Sequence, residues 1–433
     1  MEQYRPRIMD QVLRTNLDAF GAVLIEGPKW CGKTTTAEQS AKSAIYMQDE
    51  TNGPNYLKLA EDSPSVLLKG KKPRLVDEWQ ISPNLWDAVR FSVDKSGEPG
   101  QYILTGSVSV DRSKIKHSGA GRIVTVQMRT MSLWESGDST GEVSLDSLFN
   151  GSESVTGRSD HDIFDIARII TRGGWPSSLG RSEKAAHTLI AGYCRAILDT
   201  EINTMDGKER DSRKMSQILR SLSRNVSMSA PDTTILKDIT PDRAYDGISE
   251  NEMGTKKAMD IKTLRSYLAV LDRIHVTEDL DAWSPRLRSK TTVRTGSTRH
   301  LSDPAIAAYF LGASSEDLVY DMETFGLLFE SLVVRDLRVY AQSLEGEVFH
   351  YRDSRNREVD AIVHLWNGKW GAFEVKLNPA REDEGAESLL RFADDIDTDR
   401  MNPPTFLAVI TGRGFAHTRK DGVHVIPIGC LRN

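Results

Sequence analysis

The chain has 433 residues, with 56 Lys and Arg against 62 Asp and Glu and a formal charge of −6. This length exceeds what one hydrophobic core organises, so two to four domains are expected, and the net negative charge excludes indiscriminate coating of nucleic acid while leaving room for a local basic face. Residues 1–7 lack the apolar run of a signal peptide, no segment reaches bilayer-spanning length, and Cys31, Cys194 and Cys430 fit neither disulfide nor metal spacing; a cytoplasmic protein without structural zinc is expected.

The first strong signal is the short apolar run Phe20-Gly21-Ala22-Val23-Leu24-Ile25-Glu26, a buried strand by composition, leading into Gly27-Pro28-Lys29-Trp30-Cys31-Gly32-Lys33-Thr34. A helix beginning near Thr34 and Thr35 follows, so strand, glycine loop and helix stand in the order of a P-loop. Gly27 and Gly32 let backbone N–H groups wrap phosphates. Lys33 would face the β- and γ-phosphates of ATP, and the Thr34 hydroxyl would ligate Mg²⁺. Cys31, beside Lys33 at a helix N-terminus, has surroundings that favour a thiolate, so alkylation there is expected to block ATP binding.

Pro73-Arg74-Leu75-Val76-Asp77-Glu78-Trp79-Gln80 delivers two adjacent acids at the end of a short strand. Asp77 suits the metal, and Glu78 suits deprotonation of an attacking water, which favours hydrolysis over transfer to another acceptor. A third strand, Gln101-Tyr102-Ile103-Leu104-Thr105-Gly106-Ser107, ends in hydroxyls that could contact the γ-phosphate or the water; Ser107 is the first choice and Thr105 the second. Arg122, after Ser118-Gly119-Ala120-Gly121, is read either as an arginine finger reaching a neighbouring subunit or as a surface arginine after a glycine turn.

Residues 137–160 are dominated by Ser, Gly, Asp and Glu and read as an exposed boundary loop. Helical spacing resumes at Ile163-Phe164-Asp165-Ile166-Ala167-Arg168-Ile169-Ile170 and across 185–202, on either side of Gly173-Gly174-Trp175-Pro176, as lid helices would. These residues resemble a family of archaeal and bacterial AAA+ ATPases with a C-terminal region of unassigned role. The likeness rests on the opening Tyr4-Arg5-Pro6-Arg7-Ile8-Met9-Asp10, the glycine loop, Asp77-Glu78-Trp79-Gln80, Leu104-Thr105-Gly106-Ser107, Gly121-Arg122 and Gly173-Gly174-Trp175-Pro176. It spans about residues 4–377. The resemblance implies a multidomain α/β protein: a RecA-like ATPase core, a helical and winged-helix middle, and a domain like the restriction endonucleases. The corresponding partition is 1–140 for the core, 141–230 for the loop and lid, 231–315 for the winged helix and 316–433 for the last domain. Self-association into a ring, a hexamer, is expected.

Further on, Ile261, Leu264, Leu268 and Leu271 recur at helical spacing, with Lys262, Arg265 and Ser266 opposite. The pattern suits the second helix of a helix-turn-helix or an ordinary amphipathic protein contact. Residues 283–301 contain no acid, while Arg286, Arg288, Lys290, Arg294 and Arg299 gather there with His300 like a basic wing, which favours phosphate contacts with duplex DNA.

Glu330 is the lone acid in the helical stretch Phe325-Gly326-Leu327-Leu328-Phe329-Glu330-Ser331-Leu332-Val333-Val334-Arg335. Two strands then flank the turn Trp366-Asn367-Gly368, with Asp360 on the first and Glu374 and Lys376 on one face of the second. Asp360, Glu374 and Lys376 resemble the D…ExK signature of restriction-endonuclease-like nucleases, and Glu330 matches their preceding helical carboxylate. The carboxylates would hold one or two Mg²⁺ ions and the lysine would position water. The other readings are surface partners of nearby arginines, or a DNA-binding module that does not cut. At the level of the whole chain, an ATPase that remodels or translocates on DNA stands beside a switch ATPase whose assembly regulates protein partners.

Overall fold

A computed structural model describes residues 4–109, 118–201, 210–239, 259–284, 296–355, 357–398 and 401–433. The N-terminal part is built on five short strands: β1 (Ala22–Glu26), β2 (Ser43–Tyr46), β3 (Arg74–Asp77), β4 (Tyr102–Gly106) and β5 (Ile123–Gln127). They form one parallel sheet in the order β2-β3-β4-β1-β5. Apolar residues occupy both faces, as a parallel sheet covered by helices requires. Val23, Ile25, Leu75 and Ile103 pack with Met9 and Leu13 of the helix Ile8–Ala19 and with Ala37. On the other face Leu24, Val76 and Leu104 pack against Trp79, Trp86 and Val89. Because all five strands run the same way, the residues following β1, β3 and β4 emerge along one edge, where open α/β sheets place ligands.

Residues 137–160 depart from the expected exposed loop. β6 (Val143–Ser144), the helix Leu145–Phe149 and β7 (Gly157–Ser159) lie there, with Val143, Leu145, Leu148, Phe149 and Val155 buried. The few apolar residues of a polar stretch are those that dock: Phe149 meets Phe406 edge-on at 5.0 Å, and its carbonyl accepts from Lys369 Nζ at 3.0 Å. The helices Ile163–Arg172 and Glu183–Ala196 follow as read, the latter running into a turn of π-helix, Ile197–Glu201.

In the middle, three helices among the described residues, Ser212–Arg224, Asp232–Ile239 and Ile261–Arg273, precede a pair of antiparallel bridges, Thr277 with Leu301 and Leu280 with Thr298. The helix Ile261–Arg273 buries Leu264, Tyr267, Val270 and Leu271 and exposes Lys262, Arg265 and Ser266. Arg286, Arg288, Lys290 and Arg294 lie outside the described residues.

The C-terminal part begins with the long helix Met322–Gln342 and continues with β8 (Gly346–Arg352), β9 (Glu358–Leu365), β10 (Trp370–Lys376), the helix Glu382–Asp394, β11 (Phe406–Thr411), β12 (Gly414–Thr418), β13 (His424–Pro427) and β14 (Leu431–Arg432). The resulting mixed sheet has the order β7-β12-β13-β11-β10-β9-β8, so β7 from the polar stretch forms its edge. β14 pairs with β6. A buried ion cluster reinforces these joints. Arg335 Nη1 donates to Asp303 at 3.0 Å and its Nη2 to Asp336 at 2.7 Å; Asp303 also accepts from Thr130 Oγ1 and Gly174 N, and Asp336 from Leu133 N. The C-terminal sheet is therefore stitched to the segment that follows the N-terminal sheet by strands, charges and apolar contacts.

Candidate functional site

The loop after β1 turns sharply because Gly27 adopts a backbone conformation in which a Cβ would collide with the Met128 carbonyl. Trp30 takes a left-handed conformation, φ 64°, which leaves its indole on the surface and turns the next side chain inward. Cys31 is consequently fully buried, its Sγ 3.8 Å from the Met128 carbonyl oxygen, so the expected reactive thiol at the loop mouth is absent. Gly32 caps the helix Lys33–Ser40 at its N-terminus. Lys33 is buried and donates to the carbonyls of Gly27 at 3.0 Å and Pro28 at 2.8 Å, curling over the loop it belongs to.

The acids after β3 meet this loop. Asp77 Oδ1 accepts from Thr34 Oγ1 at 2.7 Å and from Thr105 Oγ1 at 2.6 Å. Burial pushes the Asp77 carboxyl above its ordinary value, and the two hydroxyl donors pull the other way. Glu78 sits in the left-handed region, φ 54°, and its Oε1 accepts from Ser107 Oγ at 2.9 Å. The two hydroxyls after β4 thus divide between the acids: Ser107 serves Glu78 and Thr105 serves Asp77. Lys33, Thr34, Thr35, Asp77, Glu78 and Ser107 line one open cavity of about 1300 Å³, walled also by Tyr4, Arg7, Pro176 and Leu179.

Several of these neighbours carry no motif of their own. Arg7 is buried and donates to the carbonyls of Cys31 at 2.8 Å and Arg129 at 2.9 Å, clamping the loop to the segment after β5. Trp175 Nε1 donates to the Lys29 carbonyl at 3.1 Å, and its ring packs 4.7 Å from Tyr193, which in turn lies 5.8 Å from Trp30. Pairing by long-range packing leaves no local pattern, so the only sequence trace of these contacts is the cluster of motifs quoted for the resemblance. His275 belongs to no motif of the sequence. Its Nε2 lies 3.3 Å from Ser109 Oγ, which donates to Glu26 at 2.9 Å. Burial, and after it the charge of Lys33, holds the imidazole down at about 4, so it is neutral near pH 7.

Arg122 lies at the start of β5, beside Ala22 at the start of β1, and so on the opposite edge of the sheet from its own P-loop, on the order of 15 Å away by strand rise. It is half exposed and paired with Asp94 at 2.6 Å. It does not reach the cavity of its own chain.

In the mixed sheet, β9 and β10 form the expected hairpin around Trp366-Asn367-Gly368. Glu374 and Lys376 share a face, with Lys376 Nζ donating to Glu374 Oε1 at 3.0 Å, while Asp360 Oδ2 accepts from Val375 N at 2.7 Å. Burial first, and the Asp360 charge second, pushes the Glu374 carboxyl up to about 8; burial and then the charges of Asp360 and Glu374 raise Glu330 on the long helix. The four residues are neighbours, as the D…ExK reading requires. The expected three-carboxylate metal set is not closed, however: among the described residues no group of three His, Cys, Asp or Glu gathers at metal-holding spacing. Asp360 is turned onto a backbone N–H and Glu374 onto a lysine. Glu374 Oε2 is buried without a hydrogen-bond partner.

The basic face is also partly occupied. Arg265 pairs with Asp232 at 2.8 Å, and Arg299, mostly buried, pairs with Asp232 and Asp279, each at 2.7 Å. Lys262 is exposed. Among the described residues no helix is long and apolar enough to cross a membrane.

Residues 19–136 match the family model of an AAA domain, and residues 163–317 and 325–431 match two models described as domains of unknown function. The uncharacterized proteins Mb2031c of Mycobacterium bovis and Rv2008c of Mycobacterium tuberculosis are each 23% identical over 370 residues, which is 84% of this chain and 72% of theirs. Among solved structures, the Walker-type ATPase PABY2304 of Pyrococcus abyssi aligns with 13% identity and a TM-score of 0.43, over 71% of this chain and 96% of that one. Lys33, Thr34, Thr35, Asp77, Glu78 and Ser107 of the cavity all fall within the AAA match, and the chain carries a P-loop ATPase-like core within a multidomain α/β protein.

Proposed function

We propose that this chain is a Mg²⁺-dependent ATP hydrolase that acts on DNA. The observation that carries hydrolysis is the pairing of two acids in one cavity with Lys33: Asp77 shared by Thr34 and Thr105, and Glu78 held by Ser107. Gly27 to Thr35 would wrap the phosphates with their N–H groups, and Lys33 would exchange its loop carbonyls for phosphate oxygens. The hydroxyl and carboxylate oxygens of Thr34 and Asp77 form a donor set that fits Mg²⁺, which when bound would neutralise charge on the β- and γ-phosphates. Glu78 would take a proton from water as the water oxygen bonds to the γ-phosphorus and the bond to the ADP oxygen breaks. Arg122, on the far edge of the sheet, would serve the site of a neighbouring copy in a ring, expected to be a hexamer.

DNA as the partner is supported by three helices followed by a bridged arm, with Lys262 and Arg265 on the outer face of the third helix. Arg286, Arg288, Lys290 and Arg294, which follow Leu280 in the sequence, would contact phosphates. For the C-terminal part, a nuclease-like reading is supported by the succession of the long helix, β8, β9, β10, the helix Glu382–Asp394 and β11, with Asp360, Glu374 and Lys376 on the central hairpin. The unpartnered Glu374 Oε2 and the Asp360 carboxylate are oxygen donors suited to a hard cation, and Lys376 would orient water. The alternative reading, a switch ATPase contacting protein, is favoured by the engagement of Arg265 and Arg299 with Asp232 and Asp279. Phosphate release and strand cleavage measured over single-stranded, duplex, forked and four-way DNA, with wild type, Glu78→Gln and Asp360→Ala, separates these. DNA-stimulated hydrolysis supports the leading reading; a rate indifferent to every DNA form, together with nucleotide-dependent assembly, overturns it in favour of the switch.

A further inference from the structure

The strained position of Glu78 has a local cause. A non-glycine residue in the left-handed region is strained and persists only where surroundings over-determine it. Three contacts do so here. Glu78 N donates to Thr105 Oγ1 at 3.3 Å, Ser107 Oγ donates to Oε1, and Gln80 Nε2 donates to Oε2. Gln80 can reach back over Glu78 because Trp79–Ile81 forms a turn of 3-10 helix. That turn is pinned by Trp79, fully buried and packed at a tilt 5.0 Å from Trp86. Gly106 makes the room. A Cβ there would lie 3.0 Å from Gln80 Oε1 and 3.3 Å from Trp79 Nε1, so any side chain at this position would press on the glutamine amide.

We propose that Gln80 is a positioning residue for hydrolysis: with Ser107 it fixes the plane of the Glu78 carboxylate so that the remaining lone pairs face the phosphate cavity. Two donors, one on each oxygen, remove the rotation that a single contact would permit. Gln80 itself stays behind Glu78 and is not among the residues lining the cavity, so its effect passes through the carboxylate. This rests on the hydrolysis reading above.

The test compares wild type, Glu78→Gln, Gln80→Met and Gln80→Glu by steady-state phosphate release from Mg-ATP, by ATP binding and by thermal melting. Gln80→Met keeps the length of the side chain and removes the donor; kcat should fall about ten- to a hundredfold, with KM and ATP affinity within about twofold of wild type. Gln80→Glu sets a carboxyl against a carboxylate. Its kcat should fall at least as far as that of Gln80→Met, with ATP affinity again within about twofold of wild type. Gln80→Met at the wild-type kcat, with Glu78→Gln inactive, overturns the inference alone. Glu78→Gln with full activity overturns the hydrolysis reading and the inference together. Should Gln80→Met lose its fold, Gln80→Glu decides: a wild-type kcat in that variant overturns the role.

Discussion

The edge of the parallel sheet and the face of the mixed sheet each gather acids beside a lysine, and they differ in what those groups face. At the P-loop, Asp77 and Glu78 are held by Thr105, Ser107 and Gln80, and with Lys33, Thr34 and Thr35 they line a cavity of about 1300 Å³. On the mixed sheet, Asp360 and Glu374 spend their contacts on Val375 N and Lys376 Nζ. The first arrangement is organised around space for something else, and the second is largely closed on itself. A motif thus fixes which residues are neighbours; the direction in which their lone pairs point decides whether a ligand is served.

The comparison is tested most severely by its largest expected effects. Glu78→Gln should lower ATP hydrolysis by about 10²- to 10⁴-fold, the range supplied by general bases, with ATP binding retained, and phosphate release against equilibrium binding measures both. Asp360→Ala should leave hydrolysis untouched; any Mg²⁺- or Mn²⁺-dependent DNA cleavage should vanish in it and survive in Lys33→Ala. Cleavage that persists in Asp360→Ala would remove the mixed sheet as a site.

Next come the joints between the two sheets. Arg335→Leu leaves Asp303 and Asp336 buried without their cation, and the expected destabilisation is about 3–5 kcal/mol in denaturant melts. A loss below roughly 1 kcal/mol would mean that the sheets fold independently. Glu278, bonded to Arg129 after β5 and close to Arg338 of the long helix, gives a pH signature. Burial pushes its carboxyl up, but the charges of Arg129 and Arg338 more than offset this and hold it at about 2. A depressed carboxyl contributes stability that is present above its unfolded value of 4.5 and lost as pH falls through about 2. Glu278→Gln should therefore flatten the acid limb of the stability profile between those values and lower stability at pH 7.

The smallest effect concerns Cys31. Because its thiol is buried under the loop, treatment of the native protein with iodoacetamide should leave ATP affinity unchanged, and Cys31→Ser should bind ATP as wild type does. Protection of binding by the serine variant alone would restore the reactive thiol.

Much of the first site was legible because its geometry is local. A strand, a glycine turn and a helix are specified by neighbours in the chain, so Gly27 to Thr34 could be placed without a fold, and Asp77, Glu78 and Ser107 end strands whose apolar runs mark them. The hairpin of Asp360, Glu374 and Lys376 was legible for the same reason, since strand alternation puts residues two apart on one face. What the chain alone could not yield were contacts between distant segments. Arg7 on the Cys31 carbonyl, Trp175 on the Lys29 carbonyl, His275 beside Ser109 and β7 on the edge of the C-terminal sheet each join residues dozens to hundreds apart. Even the inward turn of Cys31 depended on Trp30 and Met128. Sequence determined the groups present and their local order; tertiary structure decided which atoms those groups face, because hydrogen bonding and burial are settled by whatever the rest of the chain brings alongside.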